Sequence, residues 1–382
     1  SSKAAKLFAE ADVYVTENFR ETYPASLNPN AIILNLWHGV GLKHIELGLG
    51  AESALADGIV KKYVRNYPLY KNNLKFLATS EVMEEHFIED MPLDEGQIIK
   101  GGYPRNQVYR DPEMRTDHGA LDFIDNFDKV YLYAPTYRYK DVNGAFKQLL
   151  PDLKAVADKM ATQNGLFILK LHPFMLKDPE YQQAMTEFSN HPNLLFWDDK
   201  YDVYEIFNKI TVGIIDYSSI FYDLLESGVD QFIRYIPDFE EYTNDSELIG
   251  DYFELTGGTI VTSFSDLLTS FNQPQSPIEN KAFLMTYFFG YEKTTTIDYL
   301  IEDADAAQPR HRQYPELHTF DIFDTLIKRD TLEPISIFAE VQEQLVDFEE
   351  PFERYLIDNY QTIRQEVEAD LRDVFKKTTY ER

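Results

Sequence analysis

The chain has 382 residues, 44% of them hydrophobic, no cysteine, and a formal net charge of −29. This acidic balance argues against nucleic acid as a partner, because nucleic-acid binders need a basic surface to displace phosphate counterions. The lack of cysteine excludes disulfides and thiolate metal sites, and no apolar stretch approaches the roughly 20 residues that span a bilayer. We therefore expect a cytoplasmic protein. Peripheral attachment at the inner face of the membrane, or to other proteins, is the alternative.

Two series of strand-like runs follow one another along the chain, each separated by helical patterns. The first lies within residues 1–120, at 13–15, 31–36, 75–78 and 97–99, and a polar, helix-compatible bridge follows at 117–128. The second series lies at 130–133, 166–171, 194–196, 211–215, 231–236 and 259–262. Short apolar runs that alternate with helical segments predict buried parallel strands. We predict an α/β fold of two facing Rossmann-like domains, 1–120 and 121–300.

The remaining residues have a different character. Residues 301–315 are linker-like, and a strand signal at 317–320 precedes a charge-rich, mainly helical tail that ends at Arg382. We predict a separate C-terminal segment over 316–382.

Four of the strand-like runs end abruptly in polar clusters. These clusters are Trp37-His38-Gly39, Ala134-Pro135-Thr136-Tyr137-Arg138, His172-Pro173 and Asp216-Tyr217-Ser218-Ser219. Ligands of open α/β sheets bind just beyond the carboxyl ends of the strands. The sequence therefore predicts one site built from two histidines, an arginine and two serines.

Each of the two histidines has a structural and a catalytic interpretation. A lone histidine at a strand end is often only hydrogen-bonded within a turn. Gly39 and Gly41 favour the catalytic interpretation of His38, because glycines permit tight turns and close approach of a ligand. A neutral imidazole there could remove a proton from a hydroxyl. His172, which precedes Pro173, would then donate a hydrogen bond to a phosphate oxygen.

An acidic chain that handles an anionic substrate must concentrate its few cations in the cleft. Arg138 follows a strand and a proline turn, where its fork of donors could clamp a diphosphate. Lys43 could neutralise a phosphate. Arg105, with Asn106, either fixes a strand-to-helix turn or reaches the cleft.

Asp216, Ser218 and Ser219 precede an amphipathic helical pattern at 220–225. All three are ordinary N-cap residues. A helix start that bears serines also offers hydroxyls, free N–H groups and a positive dipole end to a phosphate, so we predict both roles together.

The sequence lacks the usual metal signatures around these histidines. Neither His38 nor His172 has histidine neighbours at metal-binding spacing or an accompanying acidic cluster. We predict no metal and no required cofactor, and we interpret His44 as a surface residue.

The ordered set of motifs resembles the CDP-glycerol glycerophosphotransferase family, the teichoic-acid polymerases and their relatives in bacterial capsule synthesis. The resemblance covers roughly residues 5–300. It rests on Trp37-His38-Gly39 with Leu42-Lys43, Gly102-Tyr103-Pro104-Arg105-Asn106, Ala134-Pro135-Thr136-Tyr137-Arg138, Leu171-His172-Pro173, Asp216-Tyr217-Ser218-Ser219 and Phe288-Phe289-Gly290-Tyr291.

This resemblance implies a GT-B fold and a CDP-alditol donor, either CDP-glycerol or CDP-ribitol. It also implies that 1–120 form the acceptor side, that 121–300 form the nucleotide-donor side, and that capsule-assembly proteins are candidate partners. It implies that His38 is the catalytic base and that His172, Arg138, Ser218 and Ser219 surround the donor diphosphate. The expected reaction transfers glycerol phosphate or ribitol phosphate to a hydroxyl of a growing capsule or teichoic-acid-like polymer and releases CMP. The alternatives are a GT-B glycosyltransferase that uses a nucleotide sugar and a non-catalytic module of a capsule-assembly protein.

The tail has a resemblance of its own. Residues 319–327 resemble the first motif of haloacid-dehalogenase-like phosphatases, in which Asp321 would be the nucleophile. Phe323 stands where such phosphatases carry an acid/base aspartate. We predict a partial domain in which Asp321 is vestigial.

Overall fold

A computed structural model describes residues 2–50, 53, 55–116, 119–137, 145–245 and 248–291. The predicted linker and C-terminal segment, 301–382, lie outside the described residues, and so does Arg138. Among the described residues, no helix is long and apolar enough to cross a membrane.

The first sheet contains four parallel strands in the order β1-β2-β3-β4. The strands are β1 (Val13–Thr16), β2 (Ile32–Asn35), β3 (Leu74–Ala78) and β4 (Ile98–Lys100). All four residues of β2 are buried, as expected for a strand covered on both faces of a parallel sheet. The helices of this part are α1 (Ser2–Glu10), α2 (Ala56–Asn73) and α3 (Glu81–Asp90).

The second sheet contains six parallel strands in the order β10-β9-β8-β5-β6-β7. The strands are β5 (Lys129–Tyr133), β6 (Gly165–Leu169), β7 (Leu194–Phe196), β8 (Val212–Ile215), β9 (Phe232–Tyr235) and β10 (Thr259–Val261). Numbered from β5, this is the strand order 3-2-1-4-5-6 of a doubly wound sheet. Successive strands are added on one side of β5 as far as β7 and then, from β8, on the other side, so the strand order reverses between β5 and β8. Ligands of such sheets bind outside the carboxyl ends of the strands at that point.

Further helices precede, connect and follow the strands of the second sheet. They are α4 (Ala120–Ile124), α5 (Ala145–Leu149), α6 (Leu153–Thr162), α7 (Pro179–Phe188), α8 (Ile220–Glu226), α9 (Phe239–Asp245), α10 (Phe264–Ser270) and α11 (Lys281–Phe289). Side-chain caps begin several helices, as the sequence chemistry favours. Asp152 caps α6, Asp178 caps α7 and Ser263 caps α10 by accepting backbone N–H bonds.

Helix α11 returns from the second sheet to the first. It packs against both α3 and α8, and the ring of Phe288 lies 4.0 Å from that of Tyr222. The hydroxyl of Thr79, which follows β3, donates to the carbonyl of Phe288 at 2.6 Å. The Phe288-Phe289-Gly290-Tyr291 motif therefore joins the two sheets.

The ten strand positions predicted within residues 1–300 all carry strands, and the predicted α/β class with two parallel sheets is confirmed. The strand signal at 317–320 lies outside the described residues. The predicted bridge contains the short helix α4.

Candidate active site

The four polar strand ends are distributed over both sheets. Three of them follow β8, β5 and β6, which are neighbours in the second sheet, and the fourth follows β2 in the first sheet. The two carboxyl edges meet through contacts between loops. The backbone N–H of Ile249 donates to the carbonyl of Leu42 at 2.8 Å, so a loop that follows β2 pairs with a loop that follows β9.

His38 lies in a sharply turned loop directly after β2. The residues on either side have positive φ, 57° at Trp37 and 136° at Gly39, and only the second has a residue type that adopts such angles freely. The Nδ1 atom of His38 lies 3.1 Å from the carbonyl oxygen of Glu17. A carbonyl can only accept, so Nδ1 carries the proton of the neutral ring and Nε2 carries the lone pair. The exposed imidazole is therefore oriented as a base.

A cavity of about 410 Å³ lies beside this loop, at the carboxyl ends of β1 and β2. Its lining is polar on one side, with Glu17, Asn18 and Arg20, and aromatic on the other, with Trp37 and Tyr103. The cavity is large enough for a small polyol phosphate unit.

Asp216 connects the loops that follow β5 and β8, the two strands between which the strand order of the second sheet reverses. Its buried carboxylate accepts bonds from the backbone N–H groups of Thr136, Tyr217 and Ser218 at 2.6–3.1 Å and from the Thr136 hydroxyl at 2.8 Å. These bonds hold the loop after β5 against the loop after β8. The carboxylate of Asp216 therefore fixes the relative position of these two loops at the candidate site.

Ser219, the second serine of this cluster, differs from the sequence prediction in one respect. Ser219 is the N-cap residue of α8, but its side chain makes no capping hydrogen bond. The predicted side-chain cap at Ser219 is therefore wrong, because Asp216 organises this turn instead. The hydroxyl of Ser219 is exposed.

His172 follows β6 and packs against the loop after β5. Its ring stacks on Tyr137 with centroids 5.1 Å apart, and its Nδ1 accepts the backbone N–H of Phe174 at 3.3 Å. Partial burial, then the nearby Lys170 ammonium, lowers the pKa of His172. The ring is therefore neutral at pH 7 with its proton on Nε2, which makes it a hydrogen-bond donor.

Arg105 lies between the two sheets. Its Nη2 atom pairs with both carboxylate oxygens of Asp223 on α8, at 2.8 and 3.0 Å, and its guanidinium lies over the ring of Tyr103. A Cβ on Gly39 would lie 3.0 Å from the same Nη2 atom. Of the two predicted roles of Arg105, these contacts favour the structural one, although the side chain also lines the cavity beside His38.

Lys43 also lies where the two sheets meet. Its ammonium lies 4.4 Å from the centre of the Tyr242 ring, and Tyr242 stacks on Tyr217 with centroids 3.6 Å apart. Lys43 thus connects the loop after β2 to the loops after β8 and β9.

His44 is half-buried, so its interpretation as a surface residue is wrong. Its Nδ1 lies 2.9 Å from Oδ1 of Asp90, the last residue of α3. The sequence pattern missed this contact because Asp90 lies 46 residues further along the chain.

Other residues of the site were not singled out from the sequence. Glu17 acts through its backbone carbonyl, which every residue type has, so its sequence carries no signal. Asp223 lies within an amphipathic helix, where an acidic residue is normally solvated; only its 4% side-chain exposure shows that it is a buried ion-pair partner.

Two facing parallel sheets, with polar side chains gathered at their carboxyl edges, define a protein of the GT-B-like α/β class. The chain belongs to the family described as CDP-Glycerol:Poly(glycerophosphate) glycerophosphotransferase, whose model matches residues 1–291. The family predicted from the six motifs is therefore confirmed.

Relatives and solved structures agree with this membership. The chain is 22% identical over 300 residues to a teichoic acid poly(ribitol-phosphate) polymerase of Bacillus spizizenii, covering 72% of this chain and 44% of the relative. It is 25% identical over 236 residues to a teichoic acid poly(glycerol phosphate) polymerase of the same organism, covering 59% of this chain and 56% of the relative. The chain thus spans about half the length of these relatives.

The structure of the wall teichoic acid polymerase TagF has a similar fold. It superposes with a TM-score of 0.61 at 21% identity, and the match covers 80% of this chain and 74% of that one. At this identity the similarity concerns the fold.

Proposed function

We propose that this protein transfers glycerol phosphate or ribitol phosphate from its CDP-linked form to a hydroxyl of a teichoic-acid-like or capsule polymer, with release of CMP. The observation that carries the proposal is the orientation of His38. Its Nδ1–H donates to the carbonyl of Glu17 at 3.1 Å, which leaves Nε2 as the base, and both Glu17 and the adjacent Trp37 line a cavity of about 410 Å³. An acceptor needs such a base, because an alcohol is a weak nucleophile until its proton is removed.

The acceptor chain end would occupy the cavity beside His38. Nε2 of His38 takes the proton of the acceptor hydroxyl as its oxygen attacks the phosphorus that bears the alditol. The bond from that phosphorus to the bridging oxygen of the diphosphate breaks, and CMP leaves. Two arginines line this cavity; Arg105 pairs with Asp223, and Arg20 would face a phosphate of the polymer.

The donor diphosphate would lie at the carboxyl ends of β5 and β8, between which the strand order of the second sheet reverses. Nε2–H of His172 and the hydroxyls of Ser218 and Ser219 are the donors that the loops after β6 and β8 supply there. Arg138, which follows β5 in the sequence, would add charge. Phosphoryl transfer depends mainly on positioning and charge stabilisation, so these groups suffice for the step without an assigned cofactor.

Nucleotide release distinguishes this proposal from the two alternatives. The full chain would be incubated with CDP-glycerol, CDP-ribitol or a UDP-sugar, together with a teichoic acid primer. We expect CMP from one or both CDP-alditols only in the presence of primer. Release of a nucleoside diphosphate from a UDP-sugar would instead indicate glycosyl transfer, and donor binding without any turnover would indicate a non-catalytic module.

We expect Ser219→Ala to weaken donor binding while leaving the fold intact. Its hydroxyl makes no capping bond, so its loss removes only a contact to the ligand. A hydrogen bond to a charged group contributes about 1.5–3 kcal/mol, which is roughly a 10- to 150-fold loss of affinity. Calorimetric titration with CDP-glycerol measures this loss, and Arg138→Ala should act in the same direction.

Ser263→Ala provides the matched control. Ser263 caps α10 through its side chain, so its loss should lower stability by about 1 kcal/mol and leave donor affinity unchanged. Unchanged affinity in both Ser219→Ala and Arg138→Ala would mean that the nucleotide binds elsewhere.

A further inference from the structure

Three potential metal ligands converge behind the loop that carries His38. His44 lies on that loop, and His86 and Asp90 lie four residues apart on α3. Nδ1 of His44 is 2.9 Å from Oδ1 of Asp90, and Nε2 of His86 is 3.6 Å from Oδ2 of Asp90. One ligand atom from each residue lies within 4.8 Å of the other two.

The carboxylate of Asp90 is held in place by the backbone around it. Its side chain is 1% exposed, and Oδ2 accepts the backbone N–H of Ile45 at 2.7 Å. A Cβ on Gly48 would lie only 2.1 Å from Oδ1, so a residue without a side chain is needed for this approach. The position of the carboxylate is therefore fixed before any ligand arrives.

His86 is also oriented as a ligand. It is 8% exposed, and its ring makes a hydrogen bond with the backbone of Lys43. Metal-binding histidines commonly fix their orientation in this way, through a bond from the other ring nitrogen to a backbone carbonyl. The 3.6 Å between Nε2 and Asp90 is too long for a hydrogen bond, so the carboxylate does not hold this nitrogen in a hydrogen bond.

The geometry fits a small tetrahedral cation. Zinc binds imidazole nitrogen and carboxylate oxygen at about 2.0–2.2 Å, and tetrahedral angles then separate neighbouring ligand atoms by roughly 3.3 Å. Nδ1 of His44 lies 2.9 Å from Oδ1 of Asp90, and Nε2 of His86 lies 3.6 Å from Oδ2, so each histidine nitrogen is near that separation from one of the two carboxylate oxygens. Imidazole and carboxylate together suit zinc and neighbouring transition metals.

We propose that His44, His86 and Asp90 form a binding site for a divalent transition metal ion, with Zn²⁺ as the preferred occupant. The ion takes Nδ1 of His44, Nε2 of His86 and the carboxylate of Asp90, and a water molecule completes the coordination. The proton on Nδ1 of His44 moves to Nε2 of the same ring through solvent, so the imidazole stays neutral. The side chain of His44, 23% exposed, provides the entry path.

Such an ion would fix the loop after β2 to α3. This loop begins at His38 and passes through Lys43 to the 3₁₀ turn Glu46–Leu49. A ligand that binds the folded state alone raises its stability by mass action. The site would therefore contribute to stability and hold the loop of the proposed base, without entering the chemistry.

The test uses the full chain without an affinity tag, stripped with a chelator and titrated with Zn²⁺ against a chromophoric competitor. We expect one equivalent to bind and the melting temperature to rise. Co²⁺ in place of Zn²⁺ should give the visible absorption of a tetrahedral site. Failure of the wild-type chain to bind Zn²⁺ at micromolar concentration would overturn the proposal.

His44→Ala is the variant of choice, because His44 is the most exposed of the three ligands and Asp90 keeps its bond from Ile45. Loss of an outer partner of a metal ligand already costs 10–100-fold in affinity, so loss of a ligand should weaken Zn²⁺ binding at least about tenfold. His191→Ala, which removes a histidine before β7, should bind Zn²⁺ like the wild type. Equal affinity of His44→Ala and wild type would show that Zn²⁺ binds at another place.

Discussion

His38→Ala is expected to abolish transfer while leaving donor affinity nearly unchanged. Nε2 of His38 is the lone-pair nitrogen of the ring, since Nδ1 donates to the carbonyl of Glu17. Loss of a general base typically costs about 10²–10⁴ in rate. Steady-state release of CMP measures the rate, and calorimetric titration with CDP-glycerol measures donor affinity.

His38→Asn separates proton removal from loop geometry. The asparagine amide can still donate to the carbonyl of Glu17, but it has no basic nitrogen. We therefore expect it to be as inactive as His38→Ala. His191→Ala removes a histidine that precedes the edge strand β7 and should retain full activity. Activity of His38→Asn within a few-fold of the wild type would remove His38 as the base.

Arg105→Leu is expected to lower the free energy of unfolding by about 3–5 kcal/mol, the cost of leaving a buried charge without its partner. The carboxylate of Asp223 is 4% exposed. Without Arg105, the partner left to it among the described residues would be the hydroxyl of Tyr204, which donates to it at 2.6 Å. Urea-induced unfolding followed by tryptophan fluorescence measures the change.

Lys209→Leu is the matched control for a surface ion pair. Lys209 lies 2.6 Å from Asp125, but the two side chains are 32% and 52% exposed, so the loss should stay below about 1 kcal/mol. The same variants decide between the two roles predicted for Arg105. A stable Arg105→Leu protein with lost affinity for CDP-glycerol would make Arg105 a diphosphate ligand instead of a structural residue.

Strand positions were predictable because they depend on local patterns. A strand buried on both faces needs a short continuous apolar run, and β6 with its five buried residues is an example. The residues that end strands and form turns were also predictable from local sequence. Gly39 permits the turn after β2, and Pro173 restricts the backbone after β6. The order of the strands within the second sheet did not follow from these runs, because pairing is decided by contacts between residues far apart in sequence.

The sequence by itself therefore determined the α/β class, the polar strand ends and, through six ordered motifs, the family. The tertiary structure decided what each side chain does there. Asp216 was predicted to bind the donor, which stays a prediction, and only the structure shows that its carboxylate holds together the loops after β5 and β8. Arg105 meets Asp223 118 residues away, and His44 meets Asp90 46 residues away. The physical reason is that the type of a side chain is written in the sequence, whereas its partner and its burial arise only when distant segments pack together.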